Sequence, residues 1–265
     1  CFPVYRSYLP AGREAFDAAV DEAMRRRPDL AGAFDRIVPQ LADASLEVAR
    51  QFQQTTGPVM AKGVEDTAFY RASRLGTLTE VGADPSEFAL DVAGFHAAQV
   101  AREASWPHAM TTLSTHDTKR GEDVRARLSV LAELPARWLE ALTALRAVAS
   151  TGHGGFDNLL WQAIVGAWPA SRERLHAYAE KAAREAGEST GWLEVNDAFE
   201  ARMHALVDAA FDNAEASAIL ETLVAELAPY GWSNSPSAKL RQLTQPGVPV
   251  VYQGSELGET GLGDP

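Results

Sequence analysis

Apolar residues recur at helical spacing over most of the chain. A helix is predicted over residues 13–27, where Phe16, Val20 and Met24 lie four apart. A second helix is predicted to begin near Pro39. Its buried face is predicted to carry Leu41, Val48 and Phe52.

The second half of the chain is predicted to be almost wholly helical. From Gly121 to about Tyr230, alanine- and leucine-rich segments are broken only at proline and glycine positions. These breaks fall at Pro135, Gly152 to Gly155, Pro169, Gly187 to Gly191 and Pro229. The aromatic side chains there are predicted to be core rather than sugar platforms, because aromatics at helical spacing more often pack inside. They include Trp138, Trp161, Trp168 and Trp192.

One more helix start is predicted between these regions. Asp84 is expected to cap it, with Pro85 in the first turn and Glu87 reaching back to the amide of the cap. Phe88, Val92 and Phe95 would then share one face.

Three short apolar runs depart from the helical pattern. The run at residues 2–6 reads as an edge strand, and residues 110–113 are β-tolerant. Residues 247–252 read as a buried strand that ends in Gln253 and Glu256. A short helix over Ser237 to Thr244 precedes it.

The run at residues 110–113 ends in an unusually dense set of titratable side chains. His116, Asp117, Lys119 and Arg120 lie between this strand and the helix predicted from Gly121. Loops after the carboxyl ends of strands commonly carry chemistry, because the scaffold there is rigid and the side chains stay open to solvent. The alternative is that Thr115 or Asp117 simply caps the helix.

A second dense stretch follows the apolar residues 58–61. It carries Lys62, Glu65 and Asp66. Lys62 and Glu65 are three apart, so in a helical turn they would share a face and could simply form an ion pair.

Composition narrows the classes of partner. The chain has 265 residues and a net charge of −12, which argues against nucleic acid or an anionic membrane as partner and is compatible with neutral sugars. No membrane span or signal peptide is evident, so a cytoplasmic location is expected. Cys1 is the only cysteine, which excludes an intrachain disulfide, and a structural zinc is not expected. A start at Cys1 and a glycine-rich tail from Gly258 to Pro265, expected to be unpacked, indicate a piece of a longer chain.

Four stretches together resemble the maltooligosyl trehalose synthase family of the α-amylase clan. They are CFPVYRSY at residues 1–8, FQQTTGPVMAKGVEDTAFYR at 52–71, WPHAMTTLSTHDTKRGEDVRARL at 106–128 and PGVPVVYQGSEL at 246–257. Val250, Gly258 and Pro236 depart from the family pattern, which bears on the geometry near Gln253.

The resemblance implies roles for particular residues. Asp117 would be the carboxylate that stabilises the transition state, and His116 would bind sugar hydroxyls. Lys62 and Glu65 would position the acceptor-side glucose. Lys119, Arg120 and Gln253 complete the predicted substrate-binding set. No cofactor or metal is implied, and the implied partners are a maltooligosaccharide substrate and a functionally coupled maltooligosyltrehalose trehalohydrolase.

The resemblance also implies an architecture. The expected fold is mainly α, with helical insertions and a few short strands from an incomplete (β/α)8 barrel. Residues 1–120 would hold partial barrel strands with a helical subdomain, residues 121–235 a helical insertion, and residues 236–265 the last barrel helix and strand. The nucleophilic Asp and general-acid Glu of the clan's retaining mechanism are not matched here, so this chain alone is expected to be inactive.

The function implied is conversion of the reducing-end α-1,4 linkage of a maltooligosaccharide to an α,α-1,1 linkage by intramolecular glucosyl transfer. Another α-amylase-clan glucan hydrolase or transferase is the nearest alternative, and the AKGVEDTAFYR stretch argues against it because the wider clan lacks it. A non-catalytic helical module that binds glucan or a partner protein is the alternative from a different class.

Overall fold

A computed structural model describes residues 2–263, so Cys1, Asp264 and Pro265 lie outside the described residues. The chain divides into two compact units, Cys1–Ala68 and Phe69–Pro265. The division into three functional parts at residues 120 and 235 stays a prediction.

Within its described residues, 2–68, the first unit contains three α-helices and a π-helix. They are α1 (Arg13–Arg26), α2 (Ala31–Ala42), α3 (Glu47–Met60) and the π-helix Ala61–Ala68, and a 3-10 turn at Pro28–Leu30 joins α1 to α2. Helix α1 confirms the predicted helix. The single helix predicted from Pro39 is wrong, because α2 ends at Ala42 and α3 begins only at Glu47. Between them the Asp43 carboxylate accepts hydrogen bonds from the backbone N–H and hydroxyl of Ser45, which favours a turn.

The predicted edge strand at residues 2–6 is absent. Bends occupy residues 3–5, and an isolated antiparallel bridge joins Tyr8 and Ala11 nearby. Among the described residues, no neighbouring strand is paired with this segment. The predicted burial of α3 is also partly wrong, since Phe52 is half-buried while Val48 is exposed.

The second unit contains most of the helices and the two strands. Its elements are α4 (Phe69–Arg71), α5 (Val92–Ser105), β1 (Met110–Thr112), α6 (Glu122–Leu128), α7 (Pro135–Val148), α8 (Gly154–Ala167), α9 (Arg172–Ala186), α10 (Asp197–Asp212), α11 (Ala214–Thr244) and β2 (Val248–Val250). Short 3-10 turns lie at Gly76–Leu78 and Ser129–Ala132. A mainly α fold with a few short strands is therefore confirmed.

Helix α8 lies at the centre of this unit. Eleven of its 14 residues are buried, and Leu160, Trp161 and Ile164 have no exposed surface. A helix that is apolar on all sides is stable only when other elements surround it, and α6, α7, α9 and α11 do so here. The core assignment of Trp161 is thus confirmed. Trp138 and Trp168 pack against the core half-buried, whereas Trp192 is 55% exposed and its core assignment is wrong.

The packing around α8 predicts a large effect at Gly166. A Cβ added there would lie 2.7 Å from Val124 Cγ1 and 3.0 Å from Leu128 Cγ. Gly166→Ala should therefore destabilise the chain by about 1–3 kcal/mol in urea unfolding, because overpacking a rigid core shifts side chains. Gly155→Ala in the same helix is the matched control, since its Cβ would meet no atom closer than 3.4 Å. Equal effects of the two substitutions would contradict this account.

Helix α5 begins later than predicted. Its N-cap is Asp91, whose carboxylate accepts the backbone N–H of Gly94 at 2.6 Å. Asp84, the predicted cap, instead accepts the N–H and hydroxyl of Ser86 in a local turn. The error arose because the same Asx geometry can close a turn or start a helix. Phe88 consequently precedes α5 and lies 46% exposed.

Helix α11 is uninterrupted over 31 residues and includes both Pro229 and Pro236. The predicted break at Pro229 and the separate helix over Ser237 to Thr244 are therefore wrong. A proline removes one N–H from a helix and disturbs the preceding turn, and the buried positions along α11 oppose this cost. Those positions include Leu220, Leu223, Leu227 and Gly231.

Strands β1 and β2 form a parallel pair in which Met110 lies opposite Val248 and Thr112 opposite Val250. The predicted strand at residues 110–113 is confirmed. The predicted burial of the second strand is wrong, because all three residues of β2 are exposed. No third strand flanks this sheet within residues 2–263.

The glycine-rich tail is packed, contrary to expectation, as far as it is described. Leu262 is 2% exposed and forms an antiparallel bridge with Arg120. The N–H of Gly263 donates to the carbonyl of Lys119 at 2.9 Å.

Candidate functional site

The turn that follows β1 carries His116 and Asp117. The Thr115 hydroxyl accepts the N–H of Asp117 at 3.2 Å, and the Thr118 hydroxyl donates to the Thr115 carbonyl at 2.9 Å. These bonds order the backbone on both sides of the carboxylate. His116 is exposed and Asp117 is half-buried, so both side chains are accessible from solvent.

The simpler interpretation, that Thr115 or Asp117 caps the next helix, is not what the structure shows. Helix α6 begins at Glu122, and its N-cap is Gly121. The carboxylate of Glu259, 137 residues further along the chain, accepts the N–H of Glu122 at 3.0 Å. This bond caps the start of α6. The side chain of Asp117 is therefore not used as a cap.

Lys119 and Arg120 are buried beneath this turn, each 2% exposed. The Lys119 ammonium lies 3.0 Å from the Asp117 carboxylate. The Arg120 guanidinium donates to the Thr79 carbonyl at 3.2 Å and to the Tyr178 hydroxyl at 3.4 Å. This geometry favours a supporting role for both cations, and their predicted contacts with substrate stay predictions.

A carboxylate that the sequence did not single out lies under the same turn. Glu80, 6% exposed, accepts the backbone N–H of Lys119 at 2.8 Å and that of Arg120 at 3.2 Å. Burial raises the pKa of the neighbouring Tyr178 hydroxyl, so this group is neutral at physiological pH. Most polar atoms of this buried layer are hydrogen-bonded, as burial of charge requires, but Nε of Arg120 has no hydrogen-bond partner among the described residues.

Gln253 lies at the same edge of the sheet as His116 and Asp117. Since β1 and β2 are parallel and end opposite each other at Thr112 and Val250, the turns after both strands leave from their carboxyl ends. Gln253 is exposed in its turn, next to Gly254 at a φ of 81°. The structure therefore brings together three of the predicted site residues at one edge of this sheet.

Lys62 and Glu65 lie in the first unit, on the π-helix Ala61–Ala68. Lys62 is exposed, and its ammonium lies 2.7 Å from the carboxylate of Asp66. Glu65 is 2% exposed and accepts a hydrogen bond from the Tyr5 hydroxyl. π-helical turns are rare and frequently occur at functional sites. This placement supports the prediction that the stretch is functional, and the roles of Lys62 and Glu65 stay predictions.

Two features are absent from the part of the chain that the structure describes. No group of three or more His, Cys, Asp or Glu side chains within residues 2–263 is placed to hold a metal ion. In the same part of the chain, no helix has the length and apolar character needed to cross a membrane.

Accessible polar side chains follow two adjacent parallel strands in this chain. Enzymes with (β/α) barrel folds place their catalytic residues in the same position, after the carboxyl ends of parallel strands. No protein-family model matches the chain. A Mycobacterium tuberculosis (strain ATCC 25618 / H37Rv) protein assigned as a maltooligosyl trehalose synthase is 44% identical over 268 residues, which cover 98% of this chain and 35% of that protein.

Solved structures give the same relationship. The Arthrobacter ramosus maltooligosyltrehalose synthase matches with a TM-score of 0.95 at 55% identity, over 100% of this chain and 35% of that one. A Sulfolobus tokodaii protein described as a hypothetical maltooligosyl trehalose synthase matches with a TM-score of 0.83 at 29% identity, over 100% of this chain and 36% of that one. The chain is therefore a homologue of one part of the maltooligosyl trehalose synthases, and it spans about 35% of the length of the curated relatives.

Proposed function

We propose that this chain supplies part of the active site of an enzyme that moves the reducing-end glucose of a maltooligosaccharide from an α-1,4 to an α,α-1,1 linkage. The observation that carries the proposal is the ordered turn with Asp117 and His116 at the carboxyl edge of the sheet, in a chain 55% identical to the Arthrobacter ramosus synthase. The chain corresponds to the later part of such an enzyme.

The chemistry proposed for Asp117 follows from its setting. Glycosyl transfer passes through an oxocarbenium-like state, and a carboxylate that hydrogen-bonds ring hydroxyls can bind that state more tightly than the ground state. The Thr115 turn and the Lys119 ion pair hold the carboxylate of Asp117 in place before substrate arrives. Such preorganisation lowers the barrier because no group has to reorient during the reaction.

His116 and Gln253 would contact sugar hydroxyls beside this carboxylate. Both are exposed at the same sheet edge, where an imidazole and an amide can each donate and accept hydrogen bonds. Lys62 and Glu65 would position the released glucose so that its anomeric hydroxyl, rather than water, attacks the covalent glycosyl-enzyme that carries the rest of the oligosaccharide. Exclusion of water from that step would suppress hydrolysis.

The remaining parts of the proposal concern the whole protein. The nucleophile and the general acid would come from regions outside this chain, so the isolated chain is expected to be inactive. A maltooligosyltrehalose trehalohydrolase would consume the product, and the reaction would take place in the cytoplasm without a cofactor.

Activity can be measured in a chimeric synthase, the Arthrobacter ramosus enzyme in which this chain replaces the matching 35%. In that background Lys62→Ala should shift the products of maltopentaose from trehalose-capped chains toward free glucose, because the ammonium no longer orients the released sugar. Chromatography of the products measures the ratio. Arg36→Ala, which removes an exposed cation from α2, is the control. An unchanged ratio in Lys62→Ala would remove this residue from the proposal.

A titration of the isolated chain tests the alternative that it is a non-catalytic glucan-binding module. Maltopentaose is added while tryptophan fluorescence is recorded. Tight, saturable binding would favour a helical glucan-binding module, whereas no response fits part of an active site.

A further inference from the structure

The carboxylate of Glu80 lies beneath the turn that carries Asp117 and makes no contact that the proposed chemistry uses. It reaches a segment 39 and 40 residues further along the chain, where it accepts the backbone N–H groups of Lys119 and Arg120 at 2.8 and 3.2 Å. Hydrogen bonds to a buried charged acceptor are shorter and stronger than neutral ones. The two amides would lose these partners without Glu80.

The segment that carries Glu80 is bonded to the core and within itself. The N–H of Gly76, four residues before Glu80, donates at 2.8 Å to the side chain of Gln162 on the central helix α8. Oε1 of Glu80 accepts the N–H of Val81 at 3.0 Å, and the carbonyl of Glu80 accepts the N–H of Ala83 at 2.8 Å. These bonds order the backbone and the carboxylate of Glu80 beneath the turn.

Lys119 links Glu80 to Asp117, the predicted catalytic carboxylate. The backbone of Lys119 is bound by Glu80, and the buried ammonium of the same residue lies 3.0 Å from Asp117. A shift of the Lys119 backbone would therefore move the partner of the Asp117 carboxylate. A misplacement of about 1 Å at a reacting group can lower turnover by about a hundredfold.

We propose that Glu80 is a positioning residue that fixes the Asp117 carboxylate through the backbone and ammonium of Lys119. This inference rests on the proposed function, since it assigns a role within the same site. Glu80 would not touch the substrate. Its removal should therefore lower kcat far more than it raises KM.

The test uses Glu80→Gln and Glu80→Ala in the chimeric synthase. The Gln variant keeps the volume but can offer only one oxygen to the two amides. We expect kcat per folded molecule to fall by about tenfold to a hundredfold in Glu80→Gln, with KM changed by less than about threefold. Glu80→Ala should lower kcat further. Glu87→Gln is the matched control, because Glu87 is exposed in the same loop.

A double-mutant cycle with Asp117→Asn distinguishes positioning from general stabilisation. If Glu80 acts through Asp117, adding Glu80→Gln to Asp117→Asn should lower the residual turnover by less than about twofold. An equal loss in both backgrounds would overturn the inference, as would kcat per folded molecule within about twofold of the parent in Glu80→Gln. If the unsubstituted chimera or Asp117→Asn behaves contrary to the proposed function, that proposal fails on its own, whatever the Glu80 variants show.

Discussion

Exchange of Asp117 for Asn in the chimeric synthase is expected to lower turnover of maltopentaose by about a thousandfold or more. Asn has nearly the shape of Asp but lacks the charge that would stabilise an oxocarbenium-like state. The folded state should lose about 1–3 kcal/mol of stability, because the Lys119 side chain is 2% exposed and its ammonium would lose a charged partner. The amide oxygen of the Asn can still accept a hydrogen bond from this ammonium, so the chimera should remain folded, and turnover is compared per folded molecule.

Steady-state kinetics and thermal unfolding of the same preparations check this prediction. Asp21→Asn is the control, since it makes the same chemical change at an exposed position of α1. Near-normal turnover in Asp117→Asn would remove Asp117 from the catalytic set. If the variant instead proves largely unfolded, its loss of turnover would reflect unfolding and not the missing charge.

The second large effect is expected on the free energy of unfolding, when Asp157 in α8 is replaced by Asn. This fully buried carboxylate accepts the N–H and hydroxyl of Thr151 at 2.8 and 2.6 Å, the Ser150 hydroxyl at 2.6 Å and Nε of Arg146 at 2.9 Å. Asp157→Asn removes the charge and turns an amide donor toward these donors. We expect a loss of about 3 kcal/mol at pH 7, because buried donors of Ser150 and Thr151 would lose a charged acceptor.

The same carboxylate predicts a pH dependence. Burial alone would raise the pKa of Asp157, but the hydrogen bonds from Ser150, Thr151 and Arg146 outweigh it and lower the pKa. A lowered pKa in the folded state contributes stability above the unfolded pKa of about 4 and loses it as the pH falls further. Urea unfolding between pH 7 and pH 3 should therefore show parent and Asp157→Asn converging in acid. A constant difference across this range would contradict the assignment.

The spacing of apolar residues and the glycine and proline breaks predicted most helices of the second unit and one strand. The helices between Gly121 and Asp212 and the strand at residues 110–113 follow from the spacing of apolar side chains and from glycine or proline breaks. The errors in α11 and β2 occurred where non-local packing decides. Pro229 and Pro236 remain inside α11 because buried leucines hold that helix, and β2 is exposed because no further described strand covers it.

The sequence predicted the solvent-accessible residues of the candidate site. A strand followed by His116 and Asp117 indicated a polar turn, and the turn lies where it was expected. The supporting half could not be read from the sequence, because Glu80 and Glu259 look like any other acidic residues of an acidic chain. Only the folded contacts, 39 and 137 residues apart in sequence, show that they bind the turn and the helix after it.

The burial of the two cations Lys119 and Arg120 was also not predicted. The family resemblance placed Lys119 and Arg120 among the predicted substrate-binding residues. Their burial, and the bonds of Arg120 to Thr79 and Tyr178, indicate support of the site from below.

The most direct measurement is the linkage formed by the unsubstituted chimeric synthase. Maltopentaose is incubated with the enzyme, and the product is examined by proton NMR for anomeric signals. The proposed function predicts loss of the reducing-end signals and the appearance of an α,α-1,1 linkage, without release of free glucose as the main product. Glucose or shorter maltooligosaccharides as the main products, or no conversion by a folded chimera, would contradict it.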